Sequence, residues 1–262
     1  MKAFELFIPD KILHPLVLSI PHCGTHIDEE IKSKMTKESL SLIDTDWILQ
    51  DLYKFAKEMQ IPVIYANYSR YQIDLNRPLP QEKSLYTRKT SSLVPTHTFN
   101  EEEIYLNYNP SQEDIADRIK KIYDPYYQQI HDLFDLVQMS FDQVLLFDAH
   151  SIRRSVKKIS DQDFSDVMLG NRDGLTCDNR LLEQGIQVFE RHGYNHSNNF
   201  PFKGGNITRS FSDLSKGRHS IQLEMSQDIY MTPEPKFDRC EKMLKDLLQE
   251  FSNVMKDLGK RK

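Results

Sequence analysis

Gln143-Val144-Leu145-Leu146-Phe147-Asp148-Ala149-His150-Ser151 joins an apolar run to an abrupt polar ending. Residues 144–147 include β-branched and aromatic side chains, a composition that predicts a buried strand. The run stops at Asp-Ala-His-Ser. Open α/β sheets bind ligands beyond the carboxyl ends of their strands. A histidine at such an end, two residues after a carboxylate, is placed to hold a metal ion. The plainer alternative is a polar turn in which His150 hydrogen-bonds locally.

The pattern occurs twice. Leu16-Val17-Leu18-Ser19-Ile20 predicts a short strand that delivers Pro21-His22-Cys23-Gly24-Thr25-His26. His22, next to the strand, is a better candidate ligand than His26. Cys23 is a soft ligand in principle, but adjacent side chains on an extended backbone point apart. Between the two strands, residues 39–59 show helical spacing, with Asp44-Thr45-Asp46 near the start of the periodic part. Acids there often serve only as caps or dipole partners; the functional reading is that one of the two completes a metal site. Residues 61–66 predict another strand, leading into Ser69-Arg70-Tyr71-Gln72-Ile73-Asp74-Leu75-Asn76-Arg77-Pro78. Arginine offers a planar fork of donors that matches a carboxylate, although Arg77 could also simply pair with Asp74.

Residues 81–110 are polar and predict a long loop, a candidate lid. Residues 111–141 predict a helix that Pro125 kinks or divides. A helix followed by the strand at 144 is the order of a doubly wound α/β sheet. A short strand at 167–169, a helix over 178–192 and a final amphipathic helix over 239–258 follow. Between them, Phe202-Lys203-Gly204-Gly205-Asn206-Ile207-Thr208-Arg209 has a Gly-Gly pair through which backbone can approach a ligand closely, with Arg209 in reach of it. His219-Ser220-Ile221-Gln222-Leu223-Glu224-Met225 alternates as a half-buried strand does. Glu224 is then an acid on a central strand, and buried acids are rare without a partner or a task.

The 262 residues are 39% hydrophobic, enough for one sizeable core, and show neither internal repeat nor clear linker, so one domain over 1–262 is expected. A formal net charge of −5 provides no basic excess for nucleic acid. No apolar run is long enough to span a bilayer, and the first ten residues lack the unbroken apolar stretch of a signal peptide. A cytoplasmic location is expected. Three widely spaced cysteines, Cys23, Cys177 and Cys240, fit reduced thiols.

Together, two strand-end histidines, an acidic pair, a strand glutamate and nearby arginines match metal-assisted amide hydrolysis, with three N/O ligands and an open fourth position. The chain also resembles the N-formylglutamate amidohydrolases (N-formylglutamate deformylases). The resemblance is carried by Ser19-Ile20-Pro21-His22-Cys23-Gly24, Asp44-Thr45-Asp46-Trp47, Asp74-Leu75-Asn76-Arg77-Pro78, Asp148-Ala149-His150-Ser151, Leu169-Gly170-Asn171-Arg172-Asp173-Gly174, the Gly204-Gly205 segment and Gln222-Leu223-Glu224-Met225. It runs from the first predicted strand to the last. The family is similar to zinc carboxypeptidases and aspartoacylases, which implies an α/β fold with a central mixed, mostly parallel sheet flanked by helices on both faces.

Carried over by position, the resemblance implies one Zn²⁺ per chain, with His22 and His150 as ligands. The relatives place an acid where this chain has Thr25, so Asp46 is expected as the third ligand ahead of Asp44. It further implies Glu224 and Arg70 as catalytic groups, the glutamate moving the proton and the arginine polarising the scissile carbonyl. Asn76, Arg77 and Arg209 are then expected to hold a small carboxylated N-acyl amino acid. Cys23 stands where the family usually has serine, and residues 25–28 lack a proline often found after that turn. Two alternatives are the same chemistry on another N-acyl amino acid, peptide or peptidoglycan fragment, and a non-catalytic carboxylate binder of the same fold.

Overall fold

A computed structural model describes residues 1–82, 92–231 and 237–260. Its frame is a seven-stranded sheet of β1 (Phe4–Phe7), β2 (Leu16–Ile20), β3 (Val63–Ala66), β4 (Val144–Ile152), β5 (Val167–Gly170), β6 (His196–Asn198) and β7 (Arg218–Ser226), in spatial order β1-β3-β2-β4-β7-β5-β6. The pairings of β2 with β3 and β4, of β4 with β7 and of β5 with β6 are parallel; β1 on β3 and β5 on β7 are antiparallel. The sheet is thus mixed and largely parallel, as expected.

Alternation along the central strands divides the core in two. Leu145, Phe147, Ile221 and Leu223 face helices α6 (Asn179–Arg191) and α8 (Asp238–Gly259), meeting Leu181, Phe189, Leu247 and Phe251. Val17, Val144 and Leu146 face the other way, onto Ile130 and Phe134 of α5 (Asp124–Gln138). Burial on both faces explains why β4 reads as an unbroken apolar run before its polar end.

Three expectations need correction. The strand at 144 does not end at Asp148; it stays paired with β7 through Ile152 opposite Ser226. Asp148 and His150, two residues apart on one strand, therefore share a face of the sheet. Residues 39–59 do not form one helix. They break into a short turn of 3₁₀ helix at Ser39–Ser41 and two single-turn helices, α2 (Leu49–Leu52) and α3 (Phe55–Glu58), α1 being Glu29–Lys32. Leu42 and Ile48 adopt left-handed φ values of 51° and 53°, and each halts helix propagation. Asp44-Thr45-Asp46 consequently crosses the strand ends as turns, with the Asp46 N–H donating to the His22 carbonyl (3.1 Å). Lastly, the edge strands β1 and β6 were not expected.

Residues 111–141 form α4 (Gln112–Arg118) and α5, joined by a π turn at Ile119–Tyr123 just before Pro125. Proline removes one helical donor, and the wider turn absorbs the mismatch. Of the expected loop at 81–110, residues 83–91 lie outside the described residues. Residues 92–110 carry only isolated bridges, Met35 with Tyr105 and His97 with Glu103. No described helix is long and apolar enough to cross a membrane, and Cys23, Cys177 and Cys240 are free thiols, all buried.

His219, at the amino end of β7 and so remote from the strands' carboxyl ends, tests stability. Its Nδ1 accepts from the Asp178 N–H (3.1 Å) and its Nε2 faces Gln143 Oε1 (3.0 Å), an arrangement that needs the neutral ring. Burial lowers its pKa to about 4. The unfolded chain therefore takes up this proton first as pH falls. The contribution is complete above about pH 6.5 and is lost as pH drops toward the folded value, which amounts to about 2 kcal/mol between pH 7 and 5. Denaturant titrations at the two pH values should show His219→Asn with that much less pH dependence than the unchanged protein.

Candidate active site

Because β2, β4 and β7 run parallel, their carboxyl ends lie along one edge of the sheet. His22 follows β2 by two residues, and His150 of β4 is the register partner of Glu224 on β7. On the α5 side of the sheet, apolar packing gives way to polar contacts at Ser19, whose hydroxyl meets Tyr126 (3.0 Å) and Asp148 (3.1 Å).

His22, Asp46 and His150 converge, all of them buried. The two Nδ1 atoms are 3.1 Å apart, and Asp46 Oδ2 lies 3.3 Å from that of His150 and 4.0 Å from that of His22. Ligands about 2.0–2.1 Å from a tetrahedral zinc stand roughly 3.3 Å from one another, so the three atoms have the spacing of one face of such a site. Each ring is oriented from behind through Nε2, His22 by Asp74 Oδ1 (2.7 Å) and His150 by Asp148 Oδ2 (3.0 Å). Carboxylate partners of this kind fix the tautomer that leaves Nδ1 for a metal. Asp44 does not join the group. Its carboxylate accepts from the Tyr71 hydroxyl (2.8 Å), the Phe99 N–H (2.8 Å) and Arg153 (3.2 Å).

The electrostatics agree with that donor set. Burial and then Arg70 push the His22 pKa down to about 4. Burial alone would lower His150, yet Asp148 and Asp46 hold it well above its ordinary value. Burial would raise Asp46, but His150, His22 and Arg70 keep its carboxyl below the usual range. His150 Nδ1 faces Asp46 Oδ2 and His22 Nδ1, and a divalent cation held by the three atoms would take the place of any proton there. Arg70 Nη2 contacts His22 Nδ1 and so uses the lone pair that a cation would take.

A cavity opens beside this cluster, lined on its polar side by His22, Arg70, Asn76, Arg77, His150 and Glu224, and on its apolar side by Phe99, Ile152 and Phe202. Burial pushes the Glu224 carboxyl up to about 8. Gln222 donates weakly to it (3.4 Å) and accepts from the Gly205 N–H (2.8 Å). Among the described residues, Arg70 Nε and Arg77 Nε are buried donors without an acceptor. Orphaned donors of this kind call for a ligand. Arg70 lies 3.7 Å from Asp46 and 3.9 Å from Asp74, and Arg77 lies 3.6 Å from Asp74.

Most of the residues singled out in the sequence therefore meet here. Arg209 is placed elsewhere: it lies in α7 (Asn206–Ser210), bonded to the Asn206 side chain and 3.7 Å from Glu82, and does not line the cavity. His26 pairs with Asp28 (3.3 Å). The sequence reading missed Asp74, taken there only as a partner for Arg77, and Phe99. A carboxylate two residues before the Asn-Arg pair, in the loop after β3, was the available signal for Asp74.

Asn76 depends on a glycine. A Cβ on Gly205 would fall 2.3 Å from the Asn76 amide, whose Oδ1 accepts from the Ile207 N–H (2.8 Å) and whose Nδ2 lies 3.1 Å from His150 Nε2. Gly205→Ala is expected to displace Asn76 and raise KM about tenfold, the scale of one good polar contact, with metal content the same as in the unchanged protein. Steady-state kinetics with metal analysis measures both.

Two buried imidazoles and a carboxylate gathered at the carboxyl edge of a mixed α/β sheet, with an acid on the neighbouring strand, have the donor set and layout of a metal-dependent hydrolase. The sequence profile of the N-formylglutamate amidohydrolases matches residues 14–231, and the chain belongs to that family. It is 37% identical to the N-formylglutamate deformylase of Pseudomonas putida over 247 residues, covering 93% of this chain and 90% of that one. The Pseudomonas aeruginosa N-formylglutamate deformylase is 36% identical over 227 residues, 85% of this chain and 84% of its own. The crystal structure of N-formylglutamate amidohydrolase from Ralstonia eutropha JMP134 superposes with a TM-score of 0.83 at 20% identity, covering 100% of this chain and 99% of that one. An Agrobacterium tumefaciens gene product gives 0.79 at 16% identity, covering 97% and 96%. These two likenesses establish the fold.

Proposed function

We propose that the protein hydrolyses the N-formyl amide of N-formyl-L-glutamate to formate and glutamate, using one Zn²⁺ held by His22, Asp46 and His150. The observation that carries this reading is that His22, Asp46 and His150 converge beside a cavity lined by His22, His150 and Glu224, with Glu224 paired in register beside His150. The deformylase relatives supply the substrate. The cation, when bound, provides Lewis acidity and lowers the pKa of a bound water toward ~7.

The chain's own groups do the rest. Glu224, in its carboxylate form, takes a proton from the attacking water and returns it to the leaving nitrogen, acting first as base and then as acid. Arg70 donates to the carbonyl oxygen as negative charge develops there. Asn76 and Arg77 hold a substrate carboxylate and so fix the amide's orientation. Asp74 and Asp148 keep the ligand rings in place.

The test pairs metal analysis with formate release from N-formyl-L-glutamate. One zinc per chain and stoichiometric formate are expected. A metal-free protein with full activity would discard the site, and a zinc protein that releases formate only from other N-formyl amino acids would discard the substrate.

A further inference from the structure

Phe99 lies in a stretch without regular helix or strand, yet it is fixed from several sides. Its N–H donates to buried Asp44 (2.8 Å), which is itself held by Tyr71 (2.8 Å) and Arg153 (3.2 Å). Arg153 also donates to the side chain of Asn100 (3.3 Å), fastening the next residue. The half-buried ring packs against the cluster of Ile152, Val156, Phe164 and Met168, and lines the cavity. Its centroid is 4.8 Å from the guanidinium carbon of Arg70.

Arg70 has few other constraints on its plane. Its carboxylate partners, at 3.7 and 3.9 Å, attract it but lie beyond hydrogen-bonding range. Nε has no partner among the described residues. Its contact with His22 Nδ1 occupies a metal-facing lone pair. An aromatic face attracts a guanidinium, offers it a surface on which to stack, and favours its charge.

We propose that Phe99 is a positioning residue, and that its ring, anchored through Asp44, is the face on which the Arg70 guanidinium stays stacked when it leaves His22 Nδ1 to a cation and turns to donate to the substrate carbonyl. This rests on the proposed role of Arg70. Ring and carboxylate anchor form one unit: the acid at 44 serves the site through the backbone of residue 99, while the acid at 46 serves it directly.

Four variants test the idea: Phe99→Leu, which keeps apolar bulk without the ring face, Phe99→Tyr and Phe99→Trp, which keep the face, and Arg70→Lys. Phe99→Leu is expected to lose about tenfold in kcat with KM and zinc content unchanged, as removal of a desolvated cation–π contact would. Phe99→Tyr or Phe99→Trp should restore most of that rate. In metal-free protein labelled with ¹⁵N-arginine, the Nε–H signal of Arg70, assigned by its loss in Arg70→Lys, should broaden or shift in Phe99→Leu and keep its position in Phe99→Tyr. Equal kcat for Phe99→Leu and the unchanged protein, or aromatic variants as impaired as the leucine, would overturn the proposal. Normal turnover by Arg70→Lys would remove the role of Arg70 itself, and with it this inference; an impaired Arg70→Lys beside a normal Phe99→Leu would remove only the inference.

Discussion

Glu224→Gln is expected to keep its zinc and lose roughly a thousandfold in kcat, the middle of the range for a positioned general base. The replacement has the same shape and leaves the β4–β7 ladder intact, so neither metal affinity nor KM should move by much. What disappears is an oxygen able to take a proton and give it back. Burial raises the carboxyl to about 8, with Asp46 adding to the rise and His150 and Arg70 opposing it. Since the carboxylate is the active form, kcat/KM should climb as pH increases through this group's pKa. A bound cation favours the carboxylate, so the acid limb should fall below the metal-free value. In Glu224→Gln the residual rate should lack that limb. Near-normal turnover in the glutamine variant would assign the proton to another group.

The second large effect is His150→Ala, which should empty the metal site and abolish formate release together. This variant removes one of the three proposed ligand atoms and leaves Asp46 Oδ2 and the Asp148 carboxylate buried without the ring between them. Asp74→Asn and Asp148→Asn provide a graded comparison. Each keeps a side chain behind its histidine but weakens the acceptor, and each should cost about 10–100-fold in zinc affinity. Competition with a chromophoric chelator ranks the series. A zinc affinity for His150→Ala no weaker than that of Asp148→Asn would mean that the ring is not a ligand.

Placement of the principal groups was legible from sequence because each lies in a short motif at a strand end or in the loop just after one. His150 and Glu224 lie within central strands, where β-strand periodicity decides which way they face, and His22 follows a third by two residues. Asp46 was identified by family likeness, and the segment around it was misread: apolar spacing over residues 39–59 imitates a helix, while Leu42 and Ile48 take a backbone conformation that their side chains do not advertise. The edge strands escaped notice for different reasons. β6 is His-Ser-Asn, with no apolar member, and β1, Phe-Glu-Leu-Phe, carries an acid within it and has no buried residue to mark a core-facing side. Phe99 was lost in a loop because nothing local marks it; its importance comes from Asp44 and Arg70, far away in the chain.

The direct pairing of His150 with Glu224 has a practical consequence. The spacing between the His150 ring and the Glu224 carboxyl is set by the sheet's hydrogen-bond ladder, whereas Pro201 and Phe202 reach the cavity from a connecting loop. Substitutions at Pro201 and Phe202 are therefore expected to change which acyl groups the cavity admits without altering the spacing of that strand pair.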